Sequence, residues 1–147
     1  MREKILFDKG WKFHRGDLCM RNTVMKGPDY MGAKTERMLI GAAAYDYKDE
    51  SDSYDPSKMS GDLWENVSLP HDYVIEQTPS PEYPQALGYL KYENAWYRKH
   101  FTLDKEDADK RITLYFEGVA TNATVYLNGC LMKHNFCGYT PFEVDIT

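Results

Sequence analysis

The sequence contains little cysteine, and no pattern gathers it into a metal site or a disulfide framework. Its three cysteines, Cys19, Cys130 and Cys137, are an odd number without CxxC spacing, and its four histidines are scattered along the chain. We therefore expect reduced thiols, as in a cytoplasmic protein, and assign no metal-ligating residue.

Long apolar runs and blocks of basic residues are also missing. No stretch of about 18 apolar residues could span a membrane, and the first residues lack the apolar core of a signal peptide. Lys and Arg number 18 against 23 Asp and Glu, which gives a formal net charge of −5 and no basic block to neutralise a phosphate backbone. We expect no membrane partner and no nucleic-acid partner.

Helical periodicity is weak, and strand-like segments take its place. The charged stretch 104–110 has no apolar stripe, so we expect a loop there rather than a helix. Seven segments rich in β-branched and aromatic residues are separated by turn signals: 4–7, 11–14, 64–68, 95–103, 111–117, 121–127 and 142–146. The pattern predicts an all-β fold, an antiparallel β-sandwich.

Two of these segments carry specific strand and turn signals. In 111–117, Ile112, Leu114 and Phe116 alternate with polar or amphipathic residues, as in a strand with one buried face. After 121–127, Asn128 and Gly129 tolerate the positive φ that a type I′ turn requires, so we expect a β-hairpin there.

The length of 147 residues suits a single domain. The region 27–61, rich in Gly, Ser, Asp and Tyr, is expected to be a long insertion within it, either a surface loop with a small apolar anchor or a functional loop. The sequence stops at 142–147 without a closing strand or polar tail, so we expect the domain to be truncated at its C-terminal end.

Six segments follow one another in an order that is similar to a known family. They are 7–13 (FDKGWKF), 64–73 (WENVSLPHDY), 96–101 (WYRKHF), 116–119 (FEGV), 125–129 (VYLNG) and 138–147 (GYTPFEVDIT). Together they resemble the N-terminal sugar-binding domain of glycoside hydrolase family 2, of the β-galactosidase kind. The resemblance spans nearly the whole chain except 27–61.

The resemblance implies a jelly-roll domain, like the galactose-binding domains, followed in the parent enzyme by an immunoglobulin-like domain and a TIM barrel. In that family the barrel supplies both glutamates of a retaining double displacement, so no catalytic residue is expected in this chain. The family also includes β-glucuronidases and β-mannosidases. Its members can use magnesium or sodium and form homo-oligomers; for this chain the resemblance leaves cofactor and oligomeric state open.

The loop 69–73 contains the first two candidate sugar-binding residues. In the resembling family this loop faces the barrel, which implies that Asp72 accepts hydrogen bonds from sugar hydroxyls and that His71 orients it. The alternative is that both residues satisfy backbone groups in an Asx-type turn.

The segment 76–94 contains the other two candidates, Tyr92 and Asn94. It is braced by prolines and rich in tyrosine, and aromatic faces with nearby amides suit a sugar ring. The alternative is that its tyrosines contact the missing domains. The three tryptophans, Trp11, Trp64 and Trp96, adjoin strand patterns and are expected to pack against the sheet.

Three functions remain open from the sequence. The leading one is a non-catalytic domain that shapes the pocket for a β-galactoside-type carbohydrate and docks on the missing domains of the same chain. The others are a free-standing carbohydrate-binding module and a purely structural spacer. The chain alone is expected to have no glycosidase activity.

Overall fold

The computed structural model describes residues 3–16 and 64–147, which form two compact units, 3–16 with 64–101 and 102–147. The predicted insertion at 27–61 and Cys19 lie outside the described residues. The described strands are β1 (Trp11–Arg15), β2 (Glu65–Val67), β3 (Ala95–Arg98), β4 (Thr113–Phe116), β5 (Ala123–Leu127), β6 (Cys130–Asn135) and β7 (Phe142–Asp145), with single 3-10 turns at Gln85–Leu87 and Lys105–Asp107.

The first unit is built on a three-stranded antiparallel sheet in the order β2-β1-β3. Phe13 of β1 lies opposite Tyr97 of β3, and His14 lies opposite Trp96. Because side chains alternate along a strand, Trp11, Phe13 and Tyr97 share one face, which we call the Phe13 face. Phe13 is only 4% exposed, so the buried centre of this unit lies on that face.

The tryptophans pack on the sheet and its flanks. The indole Nε1 of Trp11 donates to the carbonyl of Phe7 at 2.7 Å, and the Arg98 guanidinium lies 4.3 Å from the Trp64 ring centroid. These contacts confirm the expected packing role of Trp11 and Trp64. The Nε1 of Trp96 is buried without a hydrogen-bond partner in the described part of the chain.

The second unit contains the antiparallel pair of β4 and β7, with Phe116 opposite Phe142. Their rings stack at 4.7 Å with an interplanar angle of 10°, and Phe142 and Val144 are buried. From 111 to 117 every second residue is half-buried and the others are exposed, which confirms the predicted alternation.

The other pair of the second unit is the β5–β6 hairpin. Asn128 and Gly129 connect the strands with φ of 50° and 80°, so the predicted turn with two positive φ values is confirmed. A register shift between Val125 and Tyr126 marks a bulge in the pairing. Strand β6 is the second strand that the predicted hairpin implies. It was not among the seven predicted segments, because its apolar residues Leu131 and Met132 are adjacent and show no alternation.

Two glycines of the second unit lie where backbones approach each other closely. A Cβ on Gly118 would lie 2.9 Å from the carbonyl oxygen of Gly138, and a Cβ on Gly138 would lie 3.0 Å from the Cα of Ala120. Any other residue at Gly118 would force the backbone to move. The 116–119 and 138–147 segments of the sequence therefore meet in space.

The all-β, antiparallel fold class is confirmed, while some element boundaries differ from the expectation. Residues 4–7 form no strand, and Ile5 and Leu6 project into solvent. Strand β3 ends at Arg98 rather than continuing to residue 103, and the expected loop 104–110 contains the short turn Lys105–Asp107.

Candidate functional site

The loop that follows β2 crosses the Phe13 face. It begins where the Leu69 N–H donates to the Asp8 carbonyl at 2.9 Å, and the Leu69–Pro70 peptide is cis. The His71 ring then meets Phe13 edge-on at 4.7 Å, and the Tyr73 ring lies 5.4 Å from it. Burial of these rings against Phe13 fixes the loop on the sheet, since aromatic pairs each contribute about 0.5–1.5 kcal/mol beyond area burial.

The ring of His71 makes a hydrogen bond to Tyr97 of β3. Its Nδ1 lies 2.7 Å from the Tyr97 hydroxyl, and its Nε2 lies 3.8 Å from a carboxylate oxygen of Glu76. The carboxylate favours the tautomer with the proton on Nε2, which leaves Nδ1 to accept from Tyr97. Burial raises the pKa of Tyr97 to about 12, so this hydroxyl keeps its proton at ordinary pH.

Asp72 makes an Asx turn and is exposed. Its Oδ1 accepts from the Val74 N–H at 2.9 Å, the turn contact that the sequence left as an alternative. His71 bonds to Tyr97 rather than to Asp72. Because Asp72 is exposed, a polar ligand can reach it.

Residues 92–94, which lead into β3, lie beside this loop. The Tyr73 hydroxyl donates to the Glu93 carbonyl at 2.5 Å, and the Gly16 N–H donates to the Asn94 carbonyl at 2.7 Å. Tyr92 is 57% exposed. The four predicted residues His71, Asp72, Tyr92 and Asn94 therefore lie on two segments that contact each other.

Glu93 forms two ion pairs in this region. Its Oε1 lies 2.5 Å from Arg15 Nε and its Oε2 lies 2.8 Å from Lys91 Nζ. The hydrogen bond from Lys91 is the largest effect and lowers the pKa of Glu93. Burial, the next largest, raises it, and the hydrogen bond from Arg15 lowers it further, so the net shift is downward. The carboxylate therefore stays ionised at pH values where a free glutamate begins to protonate.

The loop 77–91 is closed at its base by one side chain. The Gln77 amide donates to the Lys91 carbonyl at 2.9 Å and accepts from the Lys91 N–H at 3.2 Å. Farther along, the Ser80 N–H donates to the Tyr89 carbonyl at 2.8 Å. Gly88 and Tyr89 turn the chain with φ of 68° and 61°. This loop holds the base of the 92–94 segment.

Neither a metal cluster nor a membrane helix is found in this part of the chain. Within residues 3–16 and 64–147, no group of three or more His, Cys, Asp or Glu residues could hold a metal ion. In the same ranges no helix is long and apolar enough to cross a membrane.

The sequence matches a known family over most of its length. Residues 29–147 correspond to the family described as glycosyl hydrolase 2 galactose-binding domain-like. The chain belongs to this family.

Relatives in the family include two β-galactosidases and a β-glucuronidase. The chain is 42% identical over 88 residues to a β-galactosidase of Thermoanaerobacter pseudethanolicus, with 57% of this chain and 11% of the relative covered. It is 40% identical over 86 residues to β-galactosidase BoGH2A of Bacteroides ovatus (57% and 10%). It is 36% identical over 90 residues to a β-glucuronidase of Formosa agariphila (57% and 9%). The chain thus matches about a tenth of the length of each.

Solved structures of the family share the fold. A β-glycosidase from Bacteroides vulgatus superposes with a TM-score of 0.66 at 30% identity, covering 99% of this chain and 15% of that chain. A glycosyl hydrolase family 2 member from Bacteroides cellulosilyticus gives 0.58 at 30% identity, with 96% and 15% covered. The predicted galactose-binding-domain-like β-sandwich is confirmed by this likeness.

Sequence reasoning proposed the two segments of the candidate site but did not single out the residues that join them. Tyr73, Arg15 and Glu93 were not singled out, although Tyr73 ends the 64–73 segment and Glu93 lies between Tyr92 and Asn94. Their contacts link positions far apart in the chain, so no local spacing reveals them.

Proposed function

We propose that the chain is the non-catalytic N-terminal β-sandwich domain, residues 1–147, of a retaining glycoside hydrolase of the β-galactosidase kind. In this proposal the domain helps to form the sugar pocket and docks on an immunoglobulin-like domain and a TIM barrel of the same protein. Family membership supports it, as do relatives named as β-galactosidases of which the chain covers 11% and 10%.

The observation that carries the proposal is the bond between the Tyr73 hydroxyl and the Glu93 carbonyl. It brings the loop with Asp72 next to the segment with Tyr92 and Asn94, so that a carboxylate, an exposed aromatic ring and an amide lie in one region. Sugar sites combine these groups, because the ring packs on the apolar face of a pyranose while the polar groups bind its hydroxyls.

The electrostatics of the region support binding rather than chemistry. The general acid of a glycosidase needs a raised pKa, whereas the pKa of Glu93 is lowered by Lys91 and Arg15. This argues against a general-acid role for Glu93. Because the family's reacting glutamates lie in its barrel, we expect the isolated chain to give no turnover of a nitrophenyl β-galactoside.

Charge favours a neutral sugar over a glucuronide. The two cations of the region, Arg15 and Lys91, are both engaged by Glu93. The acidic side chains that the loop exposes are Asp72 and Glu76, which would repel the carboxylate of a uronic acid. A β-mannoside is neutral as well, so only comparative assays distinguish it from a β-galactoside.

Substitution of Asp72 in the full-length protein tests the proposal. Asp72→Asn keeps an oxygen that can accept from the Val74 N–H but removes the charge, whereas Asp72→Ala removes both. If Asp72 binds the sugar, both variants raise KM for nitrophenyl β-galactoside, by about tenfold for the loss of a charged hydrogen bond. Ser80→Ala, which removes a weak turn contact with the Glu82 N–H at 3.4 Å, is the matched control and should leave KM unchanged.

One observation favours a structural spacer instead. The Asp72 carboxylate is already used by the Val74 N–H, which is sufficient reason for an aspartate at this position. In that case Asp72→Asn would have unchanged kinetics while Asp72→Ala would only lower stability. This result would remove Asp72 from the site and support the spacer.

A further inference from the structure

The two segments of the candidate site are joined by side chains that are not themselves predicted to bind sugar. Arg15, at the end of β1, bonds to Glu93 through its Nε at 2.5 Å. The same guanidinium lies 5.7 Å from the centroid of the Tyr73 ring. One side chain thus contacts both the loop that carries Asp72 and the segment that carries Tyr92 and Asn94.

Glu93 is the middle residue of the 92–94 segment and holds this segment in place. Its side chain is 21% exposed, while those of Arg15 and Lys91 are 38% and 47% exposed, so water screens these ion pairs and their role here is geometric. Because Glu93 lies between Tyr92 and Asn94, holding its side chain and its carbonyl fixes the backbone on both sides. The carbonyl accepts from Tyr73, and the carboxylate accepts from Arg15 and Lys91.

We propose that Arg15 and Glu93 are positioning residues that hold the Asp72 loop against the 92–94 segment and so set the geometry of the sugar site. This inference rests on the proposed sugar-binding role of Asp72. Both oxygens of the Glu93 carboxylate are occupied by cations, so its role is to orient its neighbours rather than to contact a ligand.

Lys91 connects the ion pairs of Glu93 to loop 77–91. Its ammonium bonds to Glu93, while its backbone N–H and carbonyl both bond to the Gln77 amide. The base of loop 77–91 and the Glu93 ion pairs therefore form one continuous set of contacts. Loss of the Glu93 charge should loosen the Asp72 loop without removing any sugar-binding group.

The structural half of the proposal is tested without sugar. Arg15→Gln and Glu93→Gln each remove the charge while keeping most of the side chain, and Arg111→Gln removes a comparable pair with Asp145 at 2.9 Å in the other unit. Hydrogen exchange followed by mass spectrometry should show faster exchange of the 71–76 amides in the first two variants and unchanged exchange there in Arg111→Gln. Unchanged exchange in all three variants would overturn the inference.

The functional half is tested by a double-mutant cycle in the full-length protein. Arg15→Gln and Glu93→Gln should raise KM for nitrophenyl β-galactoside by about three- to tenfold with little change in kcat, as expected for coupled residues. In the Asp72→Ala background the same substitutions should raise KM less than in the original protein, because part of their effect acts through the position of Asp72. A general loss of folding would instead lower the active fraction and leave KM unchanged.

The outcomes distinguish the inference from the function on which it rests. If Asp72→Ala leaves KM unchanged, the proposed function fails, whatever Arg15 and Glu93 do to exchange. If Asp72→Ala raises KM but Arg15→Gln and Glu93→Gln do not, the positioning inference fails and the proposed function stands. Full additivity of Glu93→Gln with Asp72→Ala would also overturn positioning.

Discussion

The two units are stabilised in different ways. In the unit of β1–β3, an irregular loop buries Phe13 under His71 and Tyr73, and polar contacts of Tyr97 and Glu93 fix that loop. In the unit of β4–β7, regular alternation buries one face, with Phe142 stacked on Phe116. The comparison teaches that the candidate site belongs to the unit whose buried centre depends on side-chain contacts between distant segments.

Removal of the central phenylalanine of each unit should have the largest effect. Phe13→Ala and Phe142→Ala should each lower the free energy of unfolding by about 3 kcal/mol or more, because both rings are almost fully buried. Phe13→Ala should cost more, since Phe13 contacts three other rings, those of His71, Tyr73 and Tyr97. Urea unfolding measures the free energies, with Tyr115→Ala, an exposed ring on β4, as the control.

An equal or smaller cost for Phe13→Ala than for Phe142→Ala would contradict this comparison. It would mean that the loop over the Phe13 face adds little to the stability of its unit.

The close backbone approach in the second unit should give the next largest effect. Gly118→Ala places a methyl group 2.9 Å from the Gly138 carbonyl oxygen, and the resulting backbone shift should cost about 1–3 kcal/mol. Thr113→Ala, on the exposed face of β4, should change stability by no more than about 0.5 kcal/mol. Thermal unfolding of both variants is the measurement, and equal melting temperatures would refute the close approach.

The half-buried side chain of Tyr97 should give the smallest effect, one that depends on pH. Burial raises its folded-state pKa from 10.0 to about 12, so the folded protein binds this proton more tightly than the unfolded chain. The resulting stabilisation is complete below pH 10 and is lost as pH rises to about 12. Tyr97→Phe also removes the hydrogen bond to His71, which should lower the free energy of unfolding by about 1 kcal/mol near neutral pH.

The measurement is the difference in unfolding free energy between the original protein and Tyr97→Phe across this pH range. The difference should shrink as pH rises, because only the original protein loses stability through this group. Tyr115→Phe, at an exposed position, provides the comparison for general effects of alkaline pH. A difference that stays constant with pH would show that Tyr97 is not buried as described.

The regular parts of the fold could be predicted from the sequence, and the irregular parts could not. Period two in 111–117 and the Asn128–Gly129 turn are local signals, and the structure confirms both. The segment 4–7 has strand composition, but it is not a strand of the described sheets and exposes Ile5 and Leu6. Composition alone does not tell a paired strand from an extended segment.

The candidate site was predicted in part for the same reason. The loop 69–73 could be located because its residues resemble a family, and the segment 92–94 because its aromatic and amide residues suit a sugar ring. Their contact through Tyr73 and Glu93 joins positions 20 residues apart. The Arg15–Glu93 pair spans 78 residues. Such contacts are set by the sheet register that places Arg15 opposite Ala95, which sequence spacing does not reveal.

The closed base of loop 77–91 has a consequence for how this region can vary. Both hydrogen bonds of the Gln77 amide are made to the Lys91 backbone. The two ends of the loop between these residues are therefore held together independently of its tip. Doubling the length of such a loop costs only about 0.6 kcal/mol in closure entropy. New sequence inserted near Ala86 should therefore lengthen the tip of the loop while the contacts between Gln77 and Lys91 stay in place.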